Sequence, residues 1–358
     1  MIVLAVFFAL RFQLAFIPGA KAEGWSYSNS YGHLDPKHWY QNFERCNGSR
    51  QSPIDIEFDD LYEDTSLGSL EFSDDYFHTL VANATLQNDG HTVRVTLPPN
   101  VNFELTSPSL PSLYRLRQFH FHWSHNDDTG SEHKVDKRFF PLELHLVHFH
   151  ENLTDAESEF TDASIVVIAV LFQWTPSDND RAYETKELNH VTDSLLDVED
   201  EGDNETLAVA LNISALLPPN LDSYLRYSGS LTTPPCSEVV EWILFPHTIP
   251  VSRYQMNLFR KLRHEEPVQL KQSRAVIEGE IEIENNDRPL ADLNNRTIRV
   301  FGDLGDLFPE KMNALPRNIA GNTPDKKTRG DTGSASPKIA SPLLISMQFV
   351  VIVLFAYL

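Results

Sequence analysis

Histidine is the residue type that stands out in this chain, with 14 in 358 residues, and two short runs hold the informative ones. Gln118-Phe-His120-Phe-His122-Trp123 alternates strictly. On a β-strand residues i and i+2 point the same way, so His120 and His122 share one face. Phe119, Phe121 and Trp123 share the other, which suits a core. Two imidazoles separated by two residues of about 3.3 Å rise stand roughly 7 Å apart, close enough to converge on one metal ion. The second run is Glu143-Leu-His145-Leu-Val147-His148-Phe-His150. It places Glu143, His145 and Val147 on one face, and Leu144, Leu146, His148 and His150 on the opposite one. A neighbouring strand bearing His145 would complete a three-histidine site with a fourth position open, the pattern of a catalytic rather than a structural zinc. A lone strand histidine is more often a surface or hydrogen-bonded residue, and His-x-His by itself leaves the two readings in balance. The rest of the chain has to decide.

The elements that would carry these residues read as short β-like runs separated by Pro, Gly, Asn and Asp. From Trp25 to about Phe301 they include His91–Leu97, Gln118–Trp123, Leu142–His150, Ile165–Phe172 and Glu238–Phe245. Helical signals are few. Ser252-x-x-Gln255 resembles a capping box followed by Leu258, Phe259 and Leu262 on one face, and Arg181–Leu196 is a second candidate. The acidic stretch Asp197–Asp203 reads as a solvated loop. Apolar residues at 41% and charged residues at 22% suit a packed domain rather than a disordered chain. With 29 Lys+Arg against 51 Asp+Glu the net charge is −22, which disfavours nucleic acid as a partner. Two cysteines exclude both a disulfide-dense scaffold and a four-cysteine zinc site.

The two ends say where the protein is sent. Residues 1–22 have an apolar run followed by Ala20-Lys21-Ala22, a secretory signal peptide pattern; a buried N-terminal helix or a membrane anchor is the alternative. Six Asn-x-Ser/Thr sequons, at Asn47, Asn83, Asn152, Asn204, Asn212 and Asn295, agree with secretion as N-glycosylation sites. After a domain over residues 23–301, residues 302–336 read as a polar stalk and 337–358 as a hydrophobic C-terminal signal. Small residues Gly333-Ser334-Ala335-Ser336, a spacer and the uncharged Leu343–Leu358 tail form the pattern for a GPI anchor. A retained transmembrane tail usually needs about 20 apolar residues and a basic flank, so it is the second reading, and a tail otherwise processed the third. The expected location is extracellular, either secreted or held on the cell surface.

The decisive pattern is longer. Ser131-Glu132-His133-Lys-Val135, Phe140 and Glu143-Leu144-His145-Leu-Val147 together resemble the α-class carbonic anhydrase signature, of the extracellular or membrane-anchored type. His120-x-His122 ends 23 residues before His145, the family's arrangement, and Tyr227-Ser-Gly-Ser-Leu231-Thr232-Thr233-Pro234-Pro235 resembles its substrate-gate loop. Gln51–Ile56, Asn88-Asp-Gly-His91 and Asn286-Asp-Arg-Pro289 also fit, so the resemblance spans about residues 25–301.

The resemblance implies a mainly β (α+β) single domain, with a large, twisted, mostly antiparallel central sheet, a few short helices, and zinc at the base of a conical cleft. It implies reversible hydration of CO2 to bicarbonate and a proton by zinc-bound hydroxide. His120, His122 and His145 would be the Zn2+ ligands. Gln118, Glu143 and the main chain of Asn286 would hold their outer ring nitrogens. Thr232 and Glu132 would orient the hydroxide, and Val147, Val167, Leu231, Thr232, Thr233 and Trp242 would face the substrate. His91 resembles the proton shuttle, which suits an imidazole of ordinary pKa near 6.5. Cys46 and Cys236 match positions that form a disulfide in extracellular relatives. Arg94 in the pocket and Arg117 before the ligand strand depart from the usual pattern and bear on anion and inhibitor affinity.

Two other function classes fit parts of the sequence. A catalytically silent carbonic-anhydrase-related binding domain typically lacks a zinc histidine, and all three are present here. An acidic matrix or biomineralisation protein would use the negative charge, which ordinary solubility also explains. Bicarbonate transporters or a mineral matrix are the macromolecular partners such a surface enzyme would meet, besides CO2 and bicarbonate themselves.

Overall fold

The computed structural model describes residues 24–28, 33–153, 160–177, 181–264 and 281–305, with the backbone of 317–318. Apolar alternation and β-branched runs build its strands: β1 Leu61–Asp64, β2 Thr85–Asn88, β3 Val93–Thr96, β4 Tyr114–Trp123, β5 Leu142–His150, β6 Ile165–Trp174, β7 Asn204–Thr206, β8 Tyr224–Gly229, β9 Val240–Val251, β10 Ile298–Phe301 and β11 Arg317–Asn318. They join one large sheet in the order β7-β2-β3-β4-β5-β6-β9-β8-β10-β1-β11, with Glu71–Phe72 and Glu104–Thr106 attached beside β4. The sheet is mixed. Pairing is parallel between β6 and β9, β10 and β1, and β1 and β11, and antiparallel at the other steps along this path.

Both faces of the sheet are covered, which is why β6 reads as an unbroken apolar run rather than an alternating one. Phe119, Phe121, Trp123, Leu144, Leu146, Val166, Ile168 and Val170 belong to the larger core. Val147, Val167, Ala169, Trp242, Leu244 and Tyr227 belong to the second core on the face that carries the site.

The helices are short. α1 covers Lys186–Thr192, against an expected Arg181–Leu196. The residues before it are engaged elsewhere: Glu184 accepts from Ser252 Oγ at 2.8 Å and pairs with Arg181, while Thr185 Oγ1 donates to the Pro250 carbonyl at 2.7 Å. α2, Arg253–Phe259, starts at the expected capping box: Ser252 Oγ accepts from the N–H of Gln255, and the Gln255 side chain accepts from the N–H of Ser252.

Two loop readings change. The 197–203 stretch is docked rather than merely solvated. Val198 is fully buried, Asn88 Nδ2 donates to the Glu199 carbonyl at 2.9 Å, and Arg263 pairs with Glu199 and Asp200. Arg317–Asn318, within the expected stalk, pairs with Glu63–Asp64 of β1. An edge strand's open N–H and C=O groups offer exactly such a docking line. The expected signal peptide and C-terminal signal lie outside the described residues. Among the described residues no helix is long and apolar enough to cross a membrane.

Candidate metal centre

The three histidines meet because β4 and β5 pair in a register that sets His120 directly opposite His145. His122 is two residues along β4, on the same face. The rings form a tight group: centroids lie 5.2 Å apart for His120–His122 and His120–His145, and 4.5 Å for His122–His145. One nitrogen from each lies within 4.8 Å of the others.

Each ring is held by its other nitrogen. His120 Nδ1 is 2.9 Å from Gln118 Oε1, His122 Nδ1 donates to the Asn286 carbonyl at 2.8 Å, and His145 Nε2 is 2.7 Å from Glu143 Oε1. Donation to an oxygen fixes each tautomer. The inward atoms are therefore Nε2 of His120, Nε2 of His122 and Nδ1 of His145, all able to offer a lone pair. His122 Nε2 is buried and has no hydrogen-bond partner among the described residues, and the same is true of Glu132 Oε2. The two atoms are 3.4 Å apart. Burying such atoms without partners is costly; a cation between the imidazoles and beside the carboxylate answers it.

The electrostatics agree. Burial, reinforced by the neighbouring imidazoles, holds His120 well below its ordinary value and His122 at about 3. Burial also lowers His145, with Glu143 opposing. Three imidazoles kept neutral are three ligands ready without proton loss. Burial acts to raise the Glu143 carboxyl, but His133 and His145 outweigh it and hold it well below the usual carboxylate range. Burial, with the charge of Glu143 next, pushes Glu132 up, while Thr232 and the N–H of Arg288 act the other way. That N–H donates to Glu132 Oε1 at 3.0 Å.

The remaining expected residues surround this group. Register lines up Val147 with Val167 and Val167 with Trp242 across three strands. All three are buried, as is Thr232, while Leu231 and Thr233 are half-buried. The loop carrying them is closed by Leu231 N–H to the Ser237 carbonyl at 3.0 Å and by Trp242 Nε1 to the Ser230 carbonyl at 3.1 Å. Cys46 and Cys236 are joined in a disulfide across 190 residues, at the foot of this loop. His91 stands in the turn between β2 and β3, its ring packed on Trp25 with centroids 3.8 Å apart. Asn47, Asn83, Asn152, Asn204 and Asn295 are exposed, and Asn212 is half-buried.

Several residues have parts that the sequence reading left blank. His133 reaches Glu143 Oε1 at 2.6 Å through Nδ1 and the Tyr227 hydroxyl at 2.6 Å through Nε2, and Tyr227 continues to Ser52 Oγ at 2.9 Å. This chain of buried polar groups locks the carboxylate that holds His145. His133 stands inside the Ser131–Val135 segment, but only the fold, which brings Glu143 of β5 and Tyr227 of β8 to its two ring nitrogens, gives it partners.

Three imidazoles from adjacent strands, with their outer nitrogens satisfied and their inner ones converging, could hold a metal ion as a three-histidine set. The model of the eukaryotic-type carbonic anhydrase family matches residues 34–301. Carbonic anhydrase 7 of Homo sapiens is 34% identical over 279 residues, 77% of this chain and 96% of that relative. Carbonic anhydrase 3 of Homo sapiens is 33% identical over 280 residues, 78% and 98% respectively. The chain belongs to the eukaryotic-type carbonic anhydrase family, and so to the carbonate dehydratases.

Proposed function

We propose that the protein is a catalytically active carbonic anhydrase that holds one Zn2+ on His120, His122 and His145 and interconverts CO2 with bicarbonate and a proton. The observation that carries this reading is the set of three inward nitrogens, each fixed by an outer hydrogen bond, beside the partnerless Oε2 of Glu132. Zinc on neutral ligands supplies the charge that lets water give up a proton near neutral pH.

The chain's own residues do the rest. Thr232 lies against Glu132 and acts to hold its carboxyl down; a Thr232 hydroxyl that gives its hydrogen to that carboxylate keeps its oxygen as an acceptor to orient the attacking oxygen. Val147, Val167 and Trp242 form an apolar wall against which unpolarised CO2 rests in place of water. His91, half-buried and resting on Trp25, relays the released proton to buffer.

The protein is an exported glycoprotein on this reading, carried to the surface by the N-terminal signal and anchored through its C-terminal signal. The Cys46–Cys236 disulfide supports an oxidising compartment, and the exposed sequons support glycan attachment. The test is stopped-flow CO2 hydration on the purified protein with metal analysis alongside. One zinc per chain with turnover is expected. Full zinc occupancy without turnover would assign the domain to the silent, binding class instead.

A further inference from the structure

The turn that presents His91 contains a charged pair, Asp89 and Arg94. Asp89 Oδ1 accepts from the N–H of His91 at 3.1 Å and from the N–H of Thr92 at 2.9 Å, while Asp89 N–H donates to the Thr92 carbonyl at 3.1 Å. Gly90, at φ 82°, supplies the left-handed step this turn requires. The other oxygen, Oδ2, lies 3.1 Å from an Arg94 guanidinium nitrogen, with the two side chains only 20% and 11% exposed. Val93 and Val95 point into the core, so Arg94 between them projects on the site face. Register sets Arg94 directly opposite His120. One carboxylate thus touches both the backbone of the relay turn and a fixed cation beside a metal-ligating strand.

We propose that Asp89 is a positioning residue for proton export: one carboxylate oxygen sets the His91 turn, and the other faces Arg94 so that the guanidinium does not oppose protonation of the His91 imidazole. The inference rests on the reading of His91 as the relay. Its physical basis is that a like charge nearby disfavours a cationic imidazole, whereas a carboxylate paired with that charge offsets it. The other groups around the turn are Glu201, whose carboxylate lies against Gly90, His33, which senses His91, His264 and Glu201, and Tyr27. Burial raises the Tyr27 phenol and keeps it neutral. Arg94 is the fixed cation of the hairpin itself.

Stopped-flow kinetics on the full zinc enzyme in weak buffer separate kcat, which needs proton export, from kcat/KM, which reports the CO2 step. Asp89→Asn retains an amide oxygen able to accept from the N–H groups of residues 91 and 92, but removes the charge. It is expected to lower kcat about fivefold and to move the midpoint of the kcat–pH profile down by about half a unit, with kcat/KM changed less than twofold. Asp89→Asn with Arg94→Gln should bring kcat back to within about twofold of wild type. Arg94→Gln alone should move the midpoint up, and it provides the reading should Asp89→Asn fail to fold. An unchanged kcat and midpoint in Asp89→Asn, equal loss of kcat and kcat/KM, or a double variant no better than the single one overturns the proposal. His91→Ala in the same assay tells the two readings apart. If it lacks an imidazole-rescued loss of kcat, the relay reading falls and takes this one with it; if it shows that loss while Asp89→Asn is inert, only the role of Asp89 falls.

Discussion

The side-chain amide of Asn286 donates to the carbonyl oxygen of His91 at 3.0 Å. The backbone carbonyl of the same residue accepts from His122 Nδ1, and its side chain also donates to the Phe121 carbonyl at 2.9 Å and accepts from Trp123 N–H at 2.7 Å. One fully buried asparagine thus fastens the turn of His91 to the strand of His120 and His122. Asn286→Ala should leave three backbone groups, two of them buried, without these partners, costing about 3 kcal/mol of stability. Metal affinity should fall about 10- to 100-fold through the loosened His122. Denaturant midpoints and a competition titration with a chelator measure the two effects.

His91→Ala should reduce kcat in weak buffer by at least about tenfold while kcat/KM stays within about twofold. Added imidazole should restore most of the loss. Parallel decline of both constants without rescue would remove His91 from proton export.

Acid sensitivity has an identifiable source on the far side of the sheet. His148 is fully buried, its Nδ1 donates to the Leu146 carbonyl at 3.0 Å, and its Nε2 meets the Tyr76 hydroxyl. Burial holds this ring at about 4, below the value near 6.5 of the unfolded chain. Between those two values the unfolded state binds the extra proton, so stability is lost as pH falls from about 6.5 to 4 and levels off below; the full difference is roughly 3 kcal/mol. His148→Phe with Tyr76→Phe should remove this component. Urea midpoints of the metal-free proteins, followed from pH 7 to 4, should fall less steeply for the double variant than for wild type.

Cys46→Ala with Cys236→Ala opens a loop closed across 190 residues. In the chain-entropy picture the loss is up to about 5 kcal/mol. Thermal unfolding of the oxidised and reduced protein should show a lower Tm on reduction. Peptide mapping without reduction should recover the two cysteines in one linked fragment.

On the proposed cell-surface reading, the C-terminal tail is expected to be replaced by a lipid near Gly333. The uncharged tail has sixteen residues, which span about 24 Å as a helix, short of the roughly 30 Å hydrocarbon core. Phosphatidylinositol-specific phospholipase should release active protein from intact cells. No release, with a C-terminal peptide ending at Leu358 recovered from the membrane, would establish the retained span.

Much of the site was legible because its signal is local. Strict alternation put His120 and His122 on one face and Phe119, Phe121 and Trp123 on the other, as the two environments of β4 now show. What alternation cannot state is which strand lies beside which. The placement of His145 opposite His120, and of β9 parallel to β6, depends on pairings set by burial over the whole sheet. His148 illustrates the difficulty. Its face was correctly separated from that of His145, yet nothing near it in the chain announced Tyr76, 72 residues earlier. Periodicity suggests a helix over Arg181–Leu196, longer than α1, because it does not register side chains such as Glu184 and Thr185, which are engaged with residues beyond the helix. The acidic 197–203 segment looked solvated because its anchor, Arg263, is remote in sequence.

The reach of Asn286 also bears on biosynthesis. It lies 164 positions after His122 and 195 after His91, so the nascent chain exposes all three imidazoles well before the group that selects the tautomer of one of them has left the ribosome. Strand pairing of such long span comes late in folding. A product ending short of residue 286 would carry His120, His122 and His145 and still lack the carbonyl that holds His122, so a metal bound there would meet the finished pocket only on the completed polypeptide.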